Sequence, residues 1–217
     1  MKKRVTLTFD NGPDPDVTPR VLEILAARDI LTTFFVLGRN MARPDCRAIA
    51  AAAHAAGHWI GNHTYTHAGP IGLNPDPSAA AQEIGETQTL IGDLSHPDRL
   101  FRPCGGGGQL NADLFAARDR DFLTSGGYSC VLWTAVPGDW NNPEGWVERA
   151  FEMIDDQDWP LVVIHDVPGA CIGRLGEFLD GLAARDIEIR QDLPPACMPI
   201  RHGEIVDPDY FRTLVAA

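Results

Sequence analysis

VTLTFDNGPDPDVTPRVLEILAARD, residues 5–29, contains the change of pattern that decides the fold. Val5 to Phe9 is a β-type run that breaks at Asp10-Asn11-Gly12-Pro13. Beyond the break, Val17, Val21, Leu22, Leu25 and Ala26 follow the spacing of one helical face. A strand that hands over to a helix through a polar turn is the opening half of a βα unit, and the rest of the chain repeats it. Residues 32–38 (TTFFVLG) read as a strand and 44–57 as a helix closed by Gly57. Residues 59–67 (WIGNHTYTH) are a third strand with its exit loop, and 76–94 a helix with Ser78 as N-cap. The alternation continues through RLFRP (99–103), a glycine run, NADLFAARDRDF (111–122), YSCVLWTAV (128–136), 142–157, PLVVIHDV (160–167), 174–186 and IEIRQ (187–191).

About seven βα units imply a parallel sheet, and that number suits a distorted or complete (β/α)7–8 barrel better than an open doubly wound sheet. A length of 217 residues with 44% hydrophobic content predicts a single domain over residues 1–217. The net charge of −12, spread without long like-charge blocks, makes a nucleic-acid partner unexpected. MKKRVTLTFD lacks the apolar stretch of a signal peptide, and no run is long enough to span a bilayer, so no membrane insertion and a cytoplasmic location are expected. The oligomeric state is left open. Five cysteines without paired spacing predict free thiols.

In such a fold ligands meet the C-terminal ends of the strands. Asp10, His63, Arg102, Asp139 and His165 all fall at or just past such ends and are expected on one face. His63 and His67 have a spacing that lets two imidazoles hold one Zn²⁺, with Asp10 or Asn11 as a third donor. Two surface histidines in a polar loop would look the same. Thr64 and Thr66 could bond the far ring nitrogens or local backbone. His165, ending an apolar strand, reads as a general acid or base or as a core histidine; Asp139-Trp140 alone reads as a turn. The four glycines after Cys104 could offer N–H groups to a ligand, but P-loop and GxGxxG spacings are absent.

Taken in order, TFDNG, HTYTH, RPCGG, GDW and LVVIH resemble the five motifs of the polysaccharide deacetylases, the NodB-homology or carbohydrate esterase family 4 group. The resemblance runs from Thr8 to Asp166. It implies a distorted (β/α) barrel and metal-dependent removal of an N-acyl group, with N-acetyl foremost, from an amino sugar, oligosaccharide or polysaccharide. Residue by residue, it implies Asp10 as general base, Asn11, His63 and His67 as metal ligands, and Arg102 as the partner of the base. The Gly105 N–H would donate to the oxyanion, Asp139 would tune the catalytic His165, which acts as general acid, and Trp140 and Val163 would line the acyl pocket.

Four positions depart from the family pattern. Asn11 stands where a metal-binding aspartate is usual, so Zn²⁺ is expected to be held weakly. Cys104-Gly105 replaces a proline and an aromatic, which opens the wall near the acyl group, and Val136 replaces an acid. A non-catalytic carbohydrate-binding relative that has lost metal through Asn11, and a C–N hydrolase of small linear or cyclic amides, are the alternative readings.

Overall fold

The computed structural model describes residues 2–216. Its strands are β1 (Arg4–Asp10), β2 (Thr33–Val36), β3 (Trp59–Asn62), β4 (Leu100–Phe101), β5 (Ser129–Cys130), β6 (Leu161–His165), β7 (Glu188–Arg190), β8 (Ile200–Arg201) and β9 (Glu204–Ile205). Its helices are α1 (Thr18–Ala26), α2 (Gly38–Met41), α3 (Pro44–Ala55), α4 (Glu86–Ile91), α5 (Ala117–Ser125), α6 (Trp146–Asp155), α7 (Leu175–Ala184) and α8 (Pro208–Arg212).

The first six strands pair in parallel in the order β6-β1-β2-β3-β4-β5. A bridge between Ala135 and Val162 brings the chain after β5 back to β6, closing a distorted barrel as expected. β7 tucks against the first half of β1, pairing Arg4 with Glu188 and Thr6 with Arg190.

β1 explains why the barrel has a reactive interior. Side chains alternate across a strand, so Val5, Leu7 and Phe9 share one face and Thr6, Thr8 and Asp10 the other. The apolar set is fully buried with Val21 and Leu25 of α1 and with Leu175, Phe178 and Leu182 of α7. The polar set points into the barrel, where Thr8 Oγ1 donates to the Val162 carbonyl at 3.0 Å and Thr6 Oγ1 to that of Asp192 at 2.7 Å. A second apolar cluster, with Phe35, Phe101, Val131, Leu161 and Val163, packs around them.

Several local expectations are corrected. On α1, Ala26 is exposed and Leu22 only half-buried, so the buried face is Thr18, Val21 and Leu25, with Val17 buried just ahead of the helix. Ser78 does not cap its helix: its hydroxyl donates to Asp76 Oδ1 at 2.6 Å, and Asp76 also accepts the Ser78 N–H at 2.8 Å. The 128–136 run does not form one strand. After Cys130 the chain peels from the ladder because Leu132 N–H donates to the Cys197 carbonyl, at 2.7 Å, and the Val131 carbonyl accepts from Arg102. The antiparallel β8–β9 hairpin, turning through His202 (φ 49°) and Gly203 (φ 82°), lies beyond the strands read from the sequence. All five cysteines are free and buried. No described helix is long and apolar enough to cross a membrane.

Candidate active site

Asp10 is the last residue of β1, and its neighbour across the ladder is His165, the last residue of β6. The Arg102 guanidinium, wholly buried, reaches inward just after β4. Its Nη1 donates to Asp10 Oδ1 at 2.8 Å and to Thr8 Oγ1 at 2.6 Å, and its Nε donates to the Val131 carbonyl at 3.2 Å. The guanidinium carbon lies 4.0 Å from the centre of the Phe35 ring. Burial alone would push the Asp10 carboxyl up. The charges of Arg102, His63 and His165 outweigh it and hold Asp10 below its ordinary range.

His63 Nδ1–H donates to the Arg102 carbonyl at 2.9 Å, which leaves Nε2 as the free lone pair, 3.4 Å from Asp10 Oδ2. The His67 ring centre is 5.0 Å from that of His63. Burial, reinforced by the His63 charge, brings His67 down to about 4, and burial lowers His63 as well, so both rings are neutral donors at pH 7. Asn11 sits beside them with φ 77°, in the left-handed region, and its Oδ1 is buried without a hydrogen-bond partner. A buried acceptor left unpaired costs about 1–3 kcal/mol. Two neutral imidazole lone pairs and an orphaned amide oxygen are a donor set that suits a divalent cation such as Zn²⁺. Among the described residues no group of three His, Cys, Asp or Glu is arranged to hold a metal, and the polar atom left without a partner beside the two histidines is the Asn11 amide oxygen.

The His63–His67 segment is a loop rather than a helical turn, with Thr64 (φ 69°) and His67 (φ 57°) in the left-handed region. Glu83 holds it. One oxygen accepts the N–H groups of Tyr65 and Thr66, each at 2.8 Å, and the other accepts the Thr66 hydroxyl at 2.7 Å. Thr64 and Thr66 bond local backbone rather than the rings: Thr64 Oγ1 accepts the His67 N–H at 3.3 Å. Glu83 escaped the sequence reading because it lies on a π-turn, Ala81–Gly85, whose side-chain directions a regular 3.6-residue period does not describe. Glu83→Ala is expected to weaken Zn²⁺ binding about 10-fold or more, as loss of a supporting shell does. Competition against a chromophoric chelator measures this, and unchanged affinity would mean the loop holds itself.

On the opposite wall, His165 Nδ1–H donates to Asp139 Oδ1 and the His165 N–H to Asp139 Oδ2, both at 2.8 Å. Burial opposes the charged ring, but the Asp139 hydrogen bond and the carboxylates of Asp139, Asp10 and Asp166 raise His165 above its ordinary value. The Trp140 ring meets the imidazole edge-on at 4.6 Å between centres, and Trp140 stays 45% exposed, on the rim.

A cavity of about 240 Å³ joins these groups, lined by Asp10, Asn11, His63, His67, Gly105, Trp140, Val163 and His165 together with Trp133 and Val136. Arg102 and Asp139 lie directly behind it, fully buried. The residues to which the family resemblance gives roles are therefore gathered in one place. The Gly105 N–H makes no hydrogen bond among the described residues, and a Cβ there would meet the Trp133 ring at 2.5 Å. Trp133 Nε1–H donates to the Gly108 carbonyl at 2.8 Å and ties down the glycine run. Burial pushes the Cys104 thiol up to about 11, which disfavours a thiolate nucleophile.

Asp166, next to His165, accepts the Thr18 hydroxyl at 2.6 Å, while its other oxygen is buried and unpaired. Burial pushes it up to about 7. The folded chain thus keeps a proton that the unfolded chain releases near its ordinary value of 3.8, and stability falls as pH rises between the two. Asp166→Asn is expected to match the wild type at pH 4 and to exceed it by up to about 4 kcal/mol at pH 8 in urea unfolding. The same difference at both pH values would remove the titration as its source.

A barrel that collects an acid–arginine pair, an acid–histidine pair and two neutral histidines in one cleft at its strand ends has the build of an α/β-barrel hydrolase. The sequence profile of the family described as polysaccharide deacetylase matches residues 1–121. A chitooligosaccharide deacetylase of Sinorhizobium fredii is 34% identical over 75% of this chain and 71% of that protein. A peptidoglycan-N-acetylglucosamine deacetylase of Bacillus cereus is 31% identical over 76% of this chain and 73% of that one. The family 4 carbohydrate esterase from Streptomyces lividans, solved with acetate, superposes with a TM-score of 0.72 at 26% identity, over 91% of this chain and 97% of that one. The chain belongs to the polysaccharide deacetylase family and is a hydrolase of carbon–nitrogen bonds other than peptide bonds.

Proposed function

We propose that this chain, as one domain, removes the N-acetyl group of an N-acetylated amino sugar within an oligosaccharide or polysaccharide. The observation that carries the reading is the opposed pairing of the two titratable groups on neighbouring strand ends: Asp10 against Arg102 and His165 against Asp139. One pair keeps a carboxylate ionised and the other keeps an imidazolium protonated, which equips a single cleft with a base and an acid.

Asn11, His63 and His67 would hold Zn²⁺, which when bound supplies a Lewis acid for the amide carbonyl and lowers the pKa of water. Asp10, fixed by Arg102, takes the proton from the attacking water. The Gly105 N–H donates to the oxygen on which negative charge develops, an interaction worth about 10²–10³-fold in rate where such donors have been removed. His165 then gives its Nε2 proton to the departing amine, because Nδ1 is committed to Asp139. Val163 and Trp140 line the space for the acyl methyl, and the edge-on Trp140 ring limits the rotation of the imidazole. The names of the relatives support an N-acetylglucosamine-containing oligomer as substrate.

The test is release of acetate from an N-acetylglucosamine oligomer, with and without a chelator. Acetate release that chelation abolishes and Zn²⁺ restores supports the proposal. Chelator-resistant release would mean deacetylation without a metal, no release from the oligomer but turnover of a small linear or cyclic amide would favour the small-amide reading, and oligosaccharide binding without turnover would favour a non-catalytic role. Asn11→Asp adds a negative charge to the donor set and is expected to retain more zinc after dialysis than the wild type. Equal zinc content in the two, by elemental analysis, would defeat the idea that Asn11 weakens the site.

A further inference from the structure

The chain carries a net charge of −12, yet its cleft is not acidic. Beside the catalytic cavity lies a second one of about 500 Å³, lined by Gly107, Gly108, Leu110, Trp133, Thr134, Val136, Arg149 and Met153. The two share Gly107, Gly108, Trp133 and Val136 in their linings and so adjoin each other at the rim of the cleft. Among all these lining residues the single carboxylate is Asp10, and it is committed to Arg102 at 2.8 Å.

Among the described residues Arg149 is the one cation that lines the second cavity, and none of them pairs with its guanidinium. Most arginines of this acidic chain are tied to carboxylates, as Arg28 is to Asp180 and Arg174 to Glu148 and Glu177, or lie over rings, as Arg4 does over Trp159. Arg149 makes no side-chain hydrogen bond or ion pair among the described residues and is exposed. It projects from α6 to within 3.5 Å of where a Cβ would stand on Gly138, the residue before Asp139 and Trp140. Its fork therefore faces the rim of the cleft. A second guanidinium without an ion pair, that of Arg39, belongs to a residue whose N–H donates to the Tyr65 carbonyl at 3.1 Å, beside the histidine loop. A cleft with positive rims in an acidic protein concentrates anions.

We infer that Arg149 forms a subsite for an anionic substituent, a carboxylate or a sulfate, on the sugar next to the one that is deacetylated. The cavity fits this chemistry: Leu110, Val136 and Met153 offer apolar contact to a sugar ring, and a guanidinium can grip a carboxylate or sulfate through two parallel N–H groups. The inference rests on the deacetylation proposed above.

Three N-acetylglucosamine oligomers of equal length test it: one neutral, one with a carboxylate on alternate sugars, and one with a sulfate on alternate sugars. With the wild type, kcat/KM is expected to be about tenfold higher for at least one anionic oligomer, chiefly through KM, and the two anionic arms tell carboxylate from sulfate. Arg149→Gln should erase that preference, and Arg149→Lys should keep part of it, since the charge remains without the fork. Raising the salt should shrink it. Equal kcat/KM for all three oligomers, or a preference that Arg149→Gln leaves intact, overturns the subsite while deacetylation stands. If no oligomer is turned over, the deacetylation reading fails, and calorimetric binding of the same three decides the subsite. Tighter anionic binding that is lost in Arg149→Gln supports it, and equal binding of neutral and anionic oligomers overturns it.

Discussion

Replacing His165 with alanine is expected to cut turnover of an N-acetylated oligosaccharide by about 10²–10⁴-fold, the usual worth of a positioned general acid, while the oligosaccharide still binds. In the proposed mechanism the loss falls on kcat, because there the Nε2 proton is needed only as the C–N bond breaks. Asp139 keeps its hydrogen bond from the residue-165 backbone in this variant, at 2.8 Å in the wild type, so the β6 end retains an anchor. Asp139→Asn supplies the companion result. His165 is held above its ordinary value against burial by the Asp139 hydrogen bond and charge, so activity that depends on the imidazolium declines as pH rises through that raised value. Removing the charge should move the alkaline limb of the kcat profile to lower pH. Wild-type turnover in His165→Ala, or an alkaline limb indifferent to Asp139→Asn, would take the acid role away from His165.

The second large effect concerns stability. Arg102→Met keeps most of the side-chain volume but leaves Asp10, 3% exposed, without the cation that holds it ionised. Breaking one side of a buried pair typically costs about 3–5 kcal/mol, because the remaining charge is stranded. The urea midpoint at pH 7 should fall accordingly. Adding Asp10→Asn to Arg102→Met should recover part of the loss by removing the stranded carboxylate. A double variant no more stable than Arg102→Met would show that the guanidinium matters through its stacking on Phe35 and its bond to the Val131 carbonyl instead.

How far such features could be read in advance depends on how local their causes are. β1 and α1 were legible because the alternating and helical patterns lie within a few residues of each other. The gathering of Asp10, His63, Arg102, Asp139 and His165 was legible because parallel strands put all their C-terminal ends on one side. β5 was not, since its early end comes from the Cys197 carbonyl, far along the chain. The β8–β9 hairpin hid in a His-Gly turn whose left-handed geometry resembles that of an Asn-Gly pair, a weaker signal with histidine. At the site, the Arg102–Asp10 pair was visible only as a motif, and its supports Thr8 and Phe35 were not visible at all. Asp166 reads as an ordinary loop acid until the fold brings Thr18, 148 residues away, against it.

The rung that joins Asp10 to His165 has one more consequence. Their spacing is dictated by the main-chain ladder between β1 and β6, whose rungs run from Thr6–Leu161 to Asp10–His165, and not by the loops around them. Rim positions that touch neither group, such as Gly107 and Leu110, can therefore change without disturbing the distance between Asp10 and His165. New specificities can be tried at the rim of this barrel while the reaction itself is left alone.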